Sequence, residues 1–600
     1  HKQLYEQWLG LSKDEAPSGS DNLKFFFRYQ IGHMYLRYLL WNFVGRQNDE
    51  QGMGDIKDGN WISGIGFLDA IRLGNQSQLP DVVKNNPARN TYYFIPFLLG
   101  LLGMVFHFTT DKRRAWVVLM LFFFCGVAMI IQGNSPPIEP RERDYIFVGS
   151  FYAFAIWVGI GVIALYDMLK TKLSAQTGAI IALVLGLIAP AIMGYQNWDD
   201  HNRSNRFAAR DFAANYLNSC APNAIIFTQG DNDTYPLWYT QEVENIRRDV
   251  RVVNLSLLGV DWYINQLRRR VNDAAPVPMT MTPENIRGSR RDVTYYKANP
   301  SVIDPTQAVE LKQLMGFIRS DQSALPERPD INYFPTKNIT FKVDKEKVLR
   351  SNALTPEAQT QMVDQLQFNL PEGKSSLYKN DLMILDIIAA NNWERPIYFA
   401  VSVNNSSYMG LEKYFQLEGL AYRVVPVVST ASNRGGIVGN VNPDIMYDNL
   451  MNKFKFGNLN STQAHTDSDY RRMIYNFRGN FARLADELTK RGDTERALAI
   501  LDQAEKMMPD HCAPHNIYSY TMIDAYYKAG AYDKGNKIID IVANRANQDL
   551  RYIKSLNPNQ RGAFDDDENM SGYFIESFVQ KCRQAGQEEM AKKLEAMLPK

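Results

Sequence analysis

The stretch AWVVLMLFFFCGVAMII, residues 115–131, holds no Lys, Arg, Asp or Glu and is close to the length that crosses the ~30 Å hydrocarbon layer of a bilayer. Residues 92–108, 146–166 and 177–195 share that character, with charges entering only at their last turns or beyond. Four such segments within about a hundred residues, separated by short charged connections, predict membrane-spanning helices rather than buried helices of a soluble core. The mean hydropathy of −0.32 is therefore an average over two unlike halves.

The connections set an orientation. Lys112, Arg113 and Arg114 follow the first span, and Lys170 and Lys172 follow the third, so both connections read as cytoplasmic by the positive-inside rule. The second connection and everything after residue 195 then face outward. Before the spans, residues 25–44 (FFFRYQIGHMYLRYLLWNFV) are helix-length and mostly aromatic, with Gln30, His33 and Arg37 at i, i+3, i+7 on one stripe. That pattern predicts a helix lying in the interface or turning its polar stripe into a protein cavity.

From residue 196 apolar runs shorten and charge rises. AIIFT (224–228), the turn QGDND, a helical stretch 235–246 and RVVNLSL (251–257) have a βαβ look; helical 381–390, PIYFAV (396–401), helical 410–417 and 422–428 continue it. Alternating strands and helices predict a mainly parallel sheet, and residues 268–380 read as loops or insertions. Residues 480–510 and 520–546 each read as helix, Gly turn, helix, with the turns at Gly492 and Gly530; 573–598 around Gly586 is a weaker third copy. The expected architecture is a multi-domain membrane protein: a partial membrane segment (1–90), four transmembrane helices (91–195), an extracytoplasmic α/β domain (196–470) and tetratricopeptide-like helical repeats (471–600).

Lys+Arg 66 against Asp+Glu 65 leaves a formal charge of +1, which supplies no field for nucleic acid. Four cysteines make no disulfide framework, and the HCAPH of 511–515 lacks the second Cys/His pair a zinc site needs. P-loop, GxGxxG and GxSxG motifs are absent from the sequence. The densest polar cluster beside the membrane is PPIEPRERDY (136–145). There a carboxylate of Glu139, Glu142 or Asp144 could accept a proton from a hydroxyl, and Arg141 and Arg143 could hold a lipid-linked phosphate; an ion-paired loop fixing two helix ends is the alternative reading. Arg28, His33 and Arg37 could line the same cavity. Asp231 and Asp233 of GDND sit where a strand hands over to a helix, a place suited to a cation or sugar hydroxyls; a plain turn with Asp233 or Thr234 as helix cap is the favoured reading of the residue types alone.

KFFFRYQIGHMYLRYLLWNFVGRQND (24–49), PPIEPRERDYIFVGSFYAFAIW (136–157), FTQGDNDTYPLWYTQE (227–242), RPIYFAVS (395–402) and EGLAYRVVP (418–426) resemble the bacterial protein O-mannosyltransferase-like membrane proteins, a family placed with the C-type glycosyltransferases. The resemblance implies a transferase in the bacterial inner membrane with periplasmic C-terminal domains. It would move a sugar, mannose by analogy, from a polyprenyl-phosphate donor to Ser or Thr hydroxyls of translocated proteins. It also implies a principal catalytic acid upstream of residue 1, so that this chain is the carboxyl-terminal portion. A membrane-anchored scaffold that binds envelope proteins without chemistry is the alternative. Membrane lipid, the lipid-linked donor and a protein acceptor are the expected partners; a divalent cation is a candidate cofactor, with no resident metal assigned.

Overall fold

The computed structural model describes residues 2–12, 15–136, 139, 141–299, 303–304, 307–325, 328–430 and 438–598. Among the described residues three helical stretches are long and apolar enough to cross a membrane: Lys112–Gly133, Asp144–Leu169 and Ala175–His201. A fourth apolar helix, Ile95–Thr110, has 16 residues. Stretch 92–108 does not run as one helix, because Asn90–Thr91 is extended and Tyr93 and Phe94 have φ of 54° and 60°; the helix starts at Ile95, with Pro96 in its first turn. Stretch 115–131 is likewise broken, into Lys112–Phe124 and Val127–Gly133, at Gly126. A Cβ there would lie 2.5 Å from Tyr35 Oη and 2.7 Å from Ser150 Oγ, two hydroxyls hydrogen-bonded to each other.

Ile95–Thr110 packs along Val148–Leu169. Their backbones approach so closely that a Cβ on Gly103 would meet the Trp157 carbonyl at 1.8 Å, and one on Gly161 the Leu99 carbonyl at 2.2 Å. Small residues at helix crossings are how helices associate where lipid supplies no hydrophobic drive. Trp116, Val117, Ile180, Leu183, Val184 and Leu187 stay exposed on the outer faces, as a hydrocarbon solvent requires.

The aromatic stretch 25–44 is helical, but Phe26–Leu36 is a π-helix between α-helical Gly19–Phe25 and Arg37–Phe43. The wider turn alters the 3.6-residue stripe read from sequence. Tyr29, Tyr35, Tyr38 and Trp41 are buried in a core with Phe151 and Trp157. Gln30 donates to Asn134 Oδ1 and Arg37 to Glu142, so the polar side chains meet protein rather than lipid.

Residues 45–91 return along the soluble part. Gly45–Arg46 pairs antiparallel with Asn90–Thr91. The intervening chain docks on the C-terminal helices: Tyr552 Oη donates to the Leu73 carbonyl (2.9 Å), and Arg471 Nη2 lies 2.8 Å from Asp49.

The central sheet has six strands in the order Asn440–Val441, Phe415–Leu417, Ala421–Val424, Ile397–Ala400, Ile225–Thr228, Arg251–Asn254. It is mainly parallel, as the alternation of strands and helices predicts, with one strand reversed: Ala421–Val424 runs antiparallel to both neighbours. The stretch 410–417 expected as helix is a short 3₁₀ turn, Glu412–Tyr414, followed by a strand. Tight side-chain packing overrides helix propensity there, since Phe415 and Leu417 are fully buried. Residues 268–380, read as loops or insertions, carry all the strands of two further sheets, of three and four strands among the described residues. Beyond them Ser468–Lys490 and Thr494–Met507, Tyr520–Lys528 and Tyr532–Ser555, and Asp565–Gln584 and Glu588–Glu595 form three helix pairs. Each pair turns at a glycine of positive φ: Gly492, Gly530 or Gly586.

Candidate functional site

The polar loop before Val148–Leu169 is fixed from below. Arg37 donates to both oxygens of Glu142 (3.0 and 2.8 Å), and its remaining donors reach the His33 and Gly59 carbonyls (2.9 and 2.7 Å). Glu142 also accepts from Gly52 N–H (2.7 Å) and from Tyr38 Oη. The guanidinium lies 4.5 Å from the Tyr38 ring centroid and 4.6 Å from that of Trp41. Burial pushes the Glu142 carboxyl up, but the Arg37 hydrogen bonds and charge outweigh it and hold the group below the usual carboxylate range. Both Glu142 oxygens accept two hydrogen bonds each and four of the five Arg37 N–H donors are used, so the pair positions the loop.

Arg143 is also committed: its Nε is 2.8 Å from Glu139 Oε2 and its N–H donates to Tyr38 Oη. Arg28 donates to the Trp8 carbonyl (3.1 Å), and the His33 ring centroid is 5.0 Å from that of Trp8, a second aromatic layer beneath the loop. Arg28, His33, Arg37, Glu139 and Arg143 therefore do not line the space above the loop, whereas Arg141, Glu142 and Asp144 do.

That space is a polar cavity of about 630 Å³ between the ends of two apolar helices and the residues that follow them. Four separate parts of the chain build it. The loop gives Arg141 and Asp144; the segment after the aromatic helix gives Arg46 and Asp49; the end of Ala175–His201 and the residues after it give Asp200, His201 and Arg203; and the start of the C-terminal helices gives His465, Asp467 and Arg472. Its carboxylates are largely neutralised: Asp49 by Arg471, Asp467 by Arg206, Glu142 by Arg37. Burial would raise Asp49, yet Arg471 leaves it below the ordinary value. His465 is shifted down by burial, so it is neutral at pH 7.

Three of the lining arginines have no such partner. Arg46 lies over the Trp41 ring (4.3 Å to its centroid), and its buried Nε makes no hydrogen bond. Arg141 approaches the Tyr145 ring (5.7 Å to its centroid) and Arg203 donates to the Asp200 carbonyl (2.8 Å). Among the described residues none of the three is ion-paired. Sequence reasoning passed over Arg46, Arg203 and His465 because they lie far apart along the chain, and it reads Asp199, Asp200 and His201 as no more than a polar turn after the last span. The one signal was GRQND, within a stretch already singled out directly after the aromatic helix.

The second site lies at the carboxyl ends of the central strands. Helix Gly230–Glu242 begins at Gly230 (φ 75°), so Asp231 and Asp233 lie inside its first turn and neither caps it. Thr234 is not a cap either; its Oγ1 is bonded to Thr228 Oγ1 (2.7 Å) and to Asn254 Nδ2 (3.0 Å). Asp233 accepts from Ser402 Oγ, and Asn404 N–H donates to Gln229 Oε1 (2.8 Å). Burial raises the Asp233 carboxyl, partly offset by Ser402 and by the Gln229 backbone. Asp231 is exposed beside Tyr235. Among the described residues no three His, Cys, Asp or Glu gather to hold a metal ion.

Residues 209–445 match the family described as TMEM260-associated domain 2. The match starts after the last apolar helix and includes all six strands of the central sheet together with Asp231 and Asp233. The chain is also 23% identical over 170 residues to the mouse (Mus musculus) protein named Protein O-mannosyl-transferase TMEM260. Both similarities point to one family. They support an O-mannosyltransferase-like family for this chain, although the curated match spans only 27% of the chain and 24% of that relative. No solved structure matches.

Proposed function

We propose that the chain is part of a membrane-bound protein glycosyltransferase that moves a sugar, mannose by analogy with the relative's name, from a polyprenyl-phosphate carrier to a Ser or Thr hydroxyl. The observation that carries this reading is the cavity with three arginines that have no ion-pair partner among the described residues, seated where apolar helices end. A phosphate on a lipid tail needs that combination: hydrocarbon for the tail and guanidinium donors for the anion. In this reading Arg46, Arg141 and Arg203 hold the phosphate, while Arg37 and Arg143 shape the loop. Asp144 faces the acceptor, and the Asp233 crevice takes hydroxyl-bearing substrate. The soluble domains face the non-cytosolic side, which in a bacterial cell is the periplasm.

The Arg46→Glu/Arg141→Glu pair, made in the full natural protein, is expected to lower polyprenyl-phosphate binding and sugar transfer at least tenfold at unchanged membrane abundance. Unchanged binding and transfer would count against the cavity. The scaffold reading draws on the three helix pairs, tetratricopeptide-like in this view, where Tyr518 and Tyr573 are 62% and 65% exposed. Capture of an envelope protein that gains no sugar, lost on Tyr518→Ala with Tyr573→Ala, would favour it.

A further inference from the structure

The cavity holds a group that phosphate binding leaves unused. His201 closes the last apolar helix, its side chain is 66% exposed, and it lines the cavity. Its Nδ1 lies 2.9 Å from Oδ1 of Asp200, whose own side chain is only 6% exposed. The backbone N–H of Asp200 is tied to Asp199 Oδ1 (3.0 Å), its carbonyl accepts from Arg203, and its second carboxylate oxygen is 3.5 Å from buried Asn90 Nδ2. The carboxylate is thus held by the fold and orients the ring. In the tautomer that donates Nδ1–H to Asp200, Nε2 carries the lone pair; the Asn197 backbone also faces the ring. An imidazole oriented by a buried carboxylate beside a substrate-sized cavity is the arrangement general-base chemistry requires.

We infer that His201, oriented by Asp200, removes the proton from the acceptor hydroxyl during sugar transfer, an inference that rests on the proposed transferase reading. In the step the hydroxyl O–H bond breaks, and its proton passes to His201 Nε2. The oxygen's electron pair forms a bond to the anomeric carbon of the lipid-linked sugar. The bond between that carbon and the phosphate oxygen breaks, and its electron pair leaves on the phosphate, where Arg46, Arg141 and Arg203 face it. His201 is a catalytic residue of this step, beside the principal catalytic acid that the resemblance implies upstream of residue 1, and Asp200 is a positioning residue.

The groups around His201 favour that role. Asp199, Asp200 and Arg203 come from its own end of the chain, and Arg46 and Asp49 from the segment beside the strand pair. Arg141 and Asp144 face the cavity from the loop; His465, Asp467 and Arg472 close it from the C-terminal helices. Glu142 and Asp469 also line it; Asp49, Asp467, Glu142 and Asp469 each pair with an arginine, and Asp200 is in direct contact with the ring.

The test uses the full natural protein in lipid bilayers, with radiolabelled polyprenyl-phosphate mannose as donor and a Ser/Thr-rich peptide as acceptor. His201→Gln is expected to slow transfer by about 10²–10⁴-fold while polyprenyl-phosphate binding stays within twofold, and added imidazole is expected to restore part of the rate. Asp200→Asn is expected to move the acid limb of the pH–rate profile to lower pH, because the carboxylate no longer stabilises the imidazolium. Wild-type transfer by His201→Gln, when the Arg46→Glu/Arg141→Glu pair transfers none, overturns the proton step alone. Full transfer by that arginine pair overturns the cavity reading beneath it.

Discussion

Two half-buried carboxylates, one at the membrane face and one at the strand ends of the central sheet, shift in opposite directions. Glu142 is held low because Arg37 donates to both its oxygens, while Asp233 is raised because burial is countered only by Ser402 and a backbone group. Burial acts the same way on both, and the presence of a cation decides the sign. A carboxylate with its own arginine is a structural anchor. One without a cation retains chemistry to offer a ligand, and the same division separates committed Arg37 and Arg143 from available Arg46, Arg141 and Arg203.

Arg37→Ala should break the comparison most strongly. It leaves Glu142 buried without its cation and is expected to cost roughly 3–5 kcal/mol, read as a fall in thermal midpoint of the detergent-solubilised protein. Replacing the pair together, Arg37→Met with Glu142→Met, is expected to cost clearly less, because no charge is stranded; an equal loss would mean that the pair shapes the loop by more than mutual neutralisation.

pH separates the two sites next. Glu142, lowered when folded, contributes stability that is fully present above its ordinary value of 4.5 and lost as pH falls through the lower folded value. Asp233, raised when folded, works in reverse: stability declines as pH rises from 3.8 through the raised folded value. Carboxyl resonances followed by NMR on side-chain-labelled protein should show the two midpoints on opposite sides of the ordinary carboxylate range. The smallest effect is expected of Asp233→Asn, which at pH 7 should change stability by under about 1 kcal/mol, because a neutral amide can still accept the Ser402 hydroxyl. A large loss would show that the charged form is structurally required.

The apolar helices were legible because a run without charge has one stable surrounding, and the strands 224–228 and 251–257 because their turn and alternation are local. Gly126 shows the limit. Its run reads as unbroken, and only the hydroxyls of Tyr35 and Ser150, brought beside it by other helices, reveal the break. The same holds at Phe415, where burial against the sheet turned an expected helix into a strand. The loop 136–145 was recognised as a polar cluster, yet its pairing was not, since Arg37 lies about a hundred residues away from its partner Glu142.

What the sequence determined by itself is which segments prefer hydrocarbon, where the soluble part begins, and which stretches carry unusual polar density, because these depend on composition within one window of chain. Which arginines are neutralised, which carboxylate is raised, and that Arg46, His201 and His465 share one cavity were decided only by tertiary structure. Charge and proton affinity depend on neighbours within a few ångströms, and those neighbours come from parts of the chain up to four hundred residues apart.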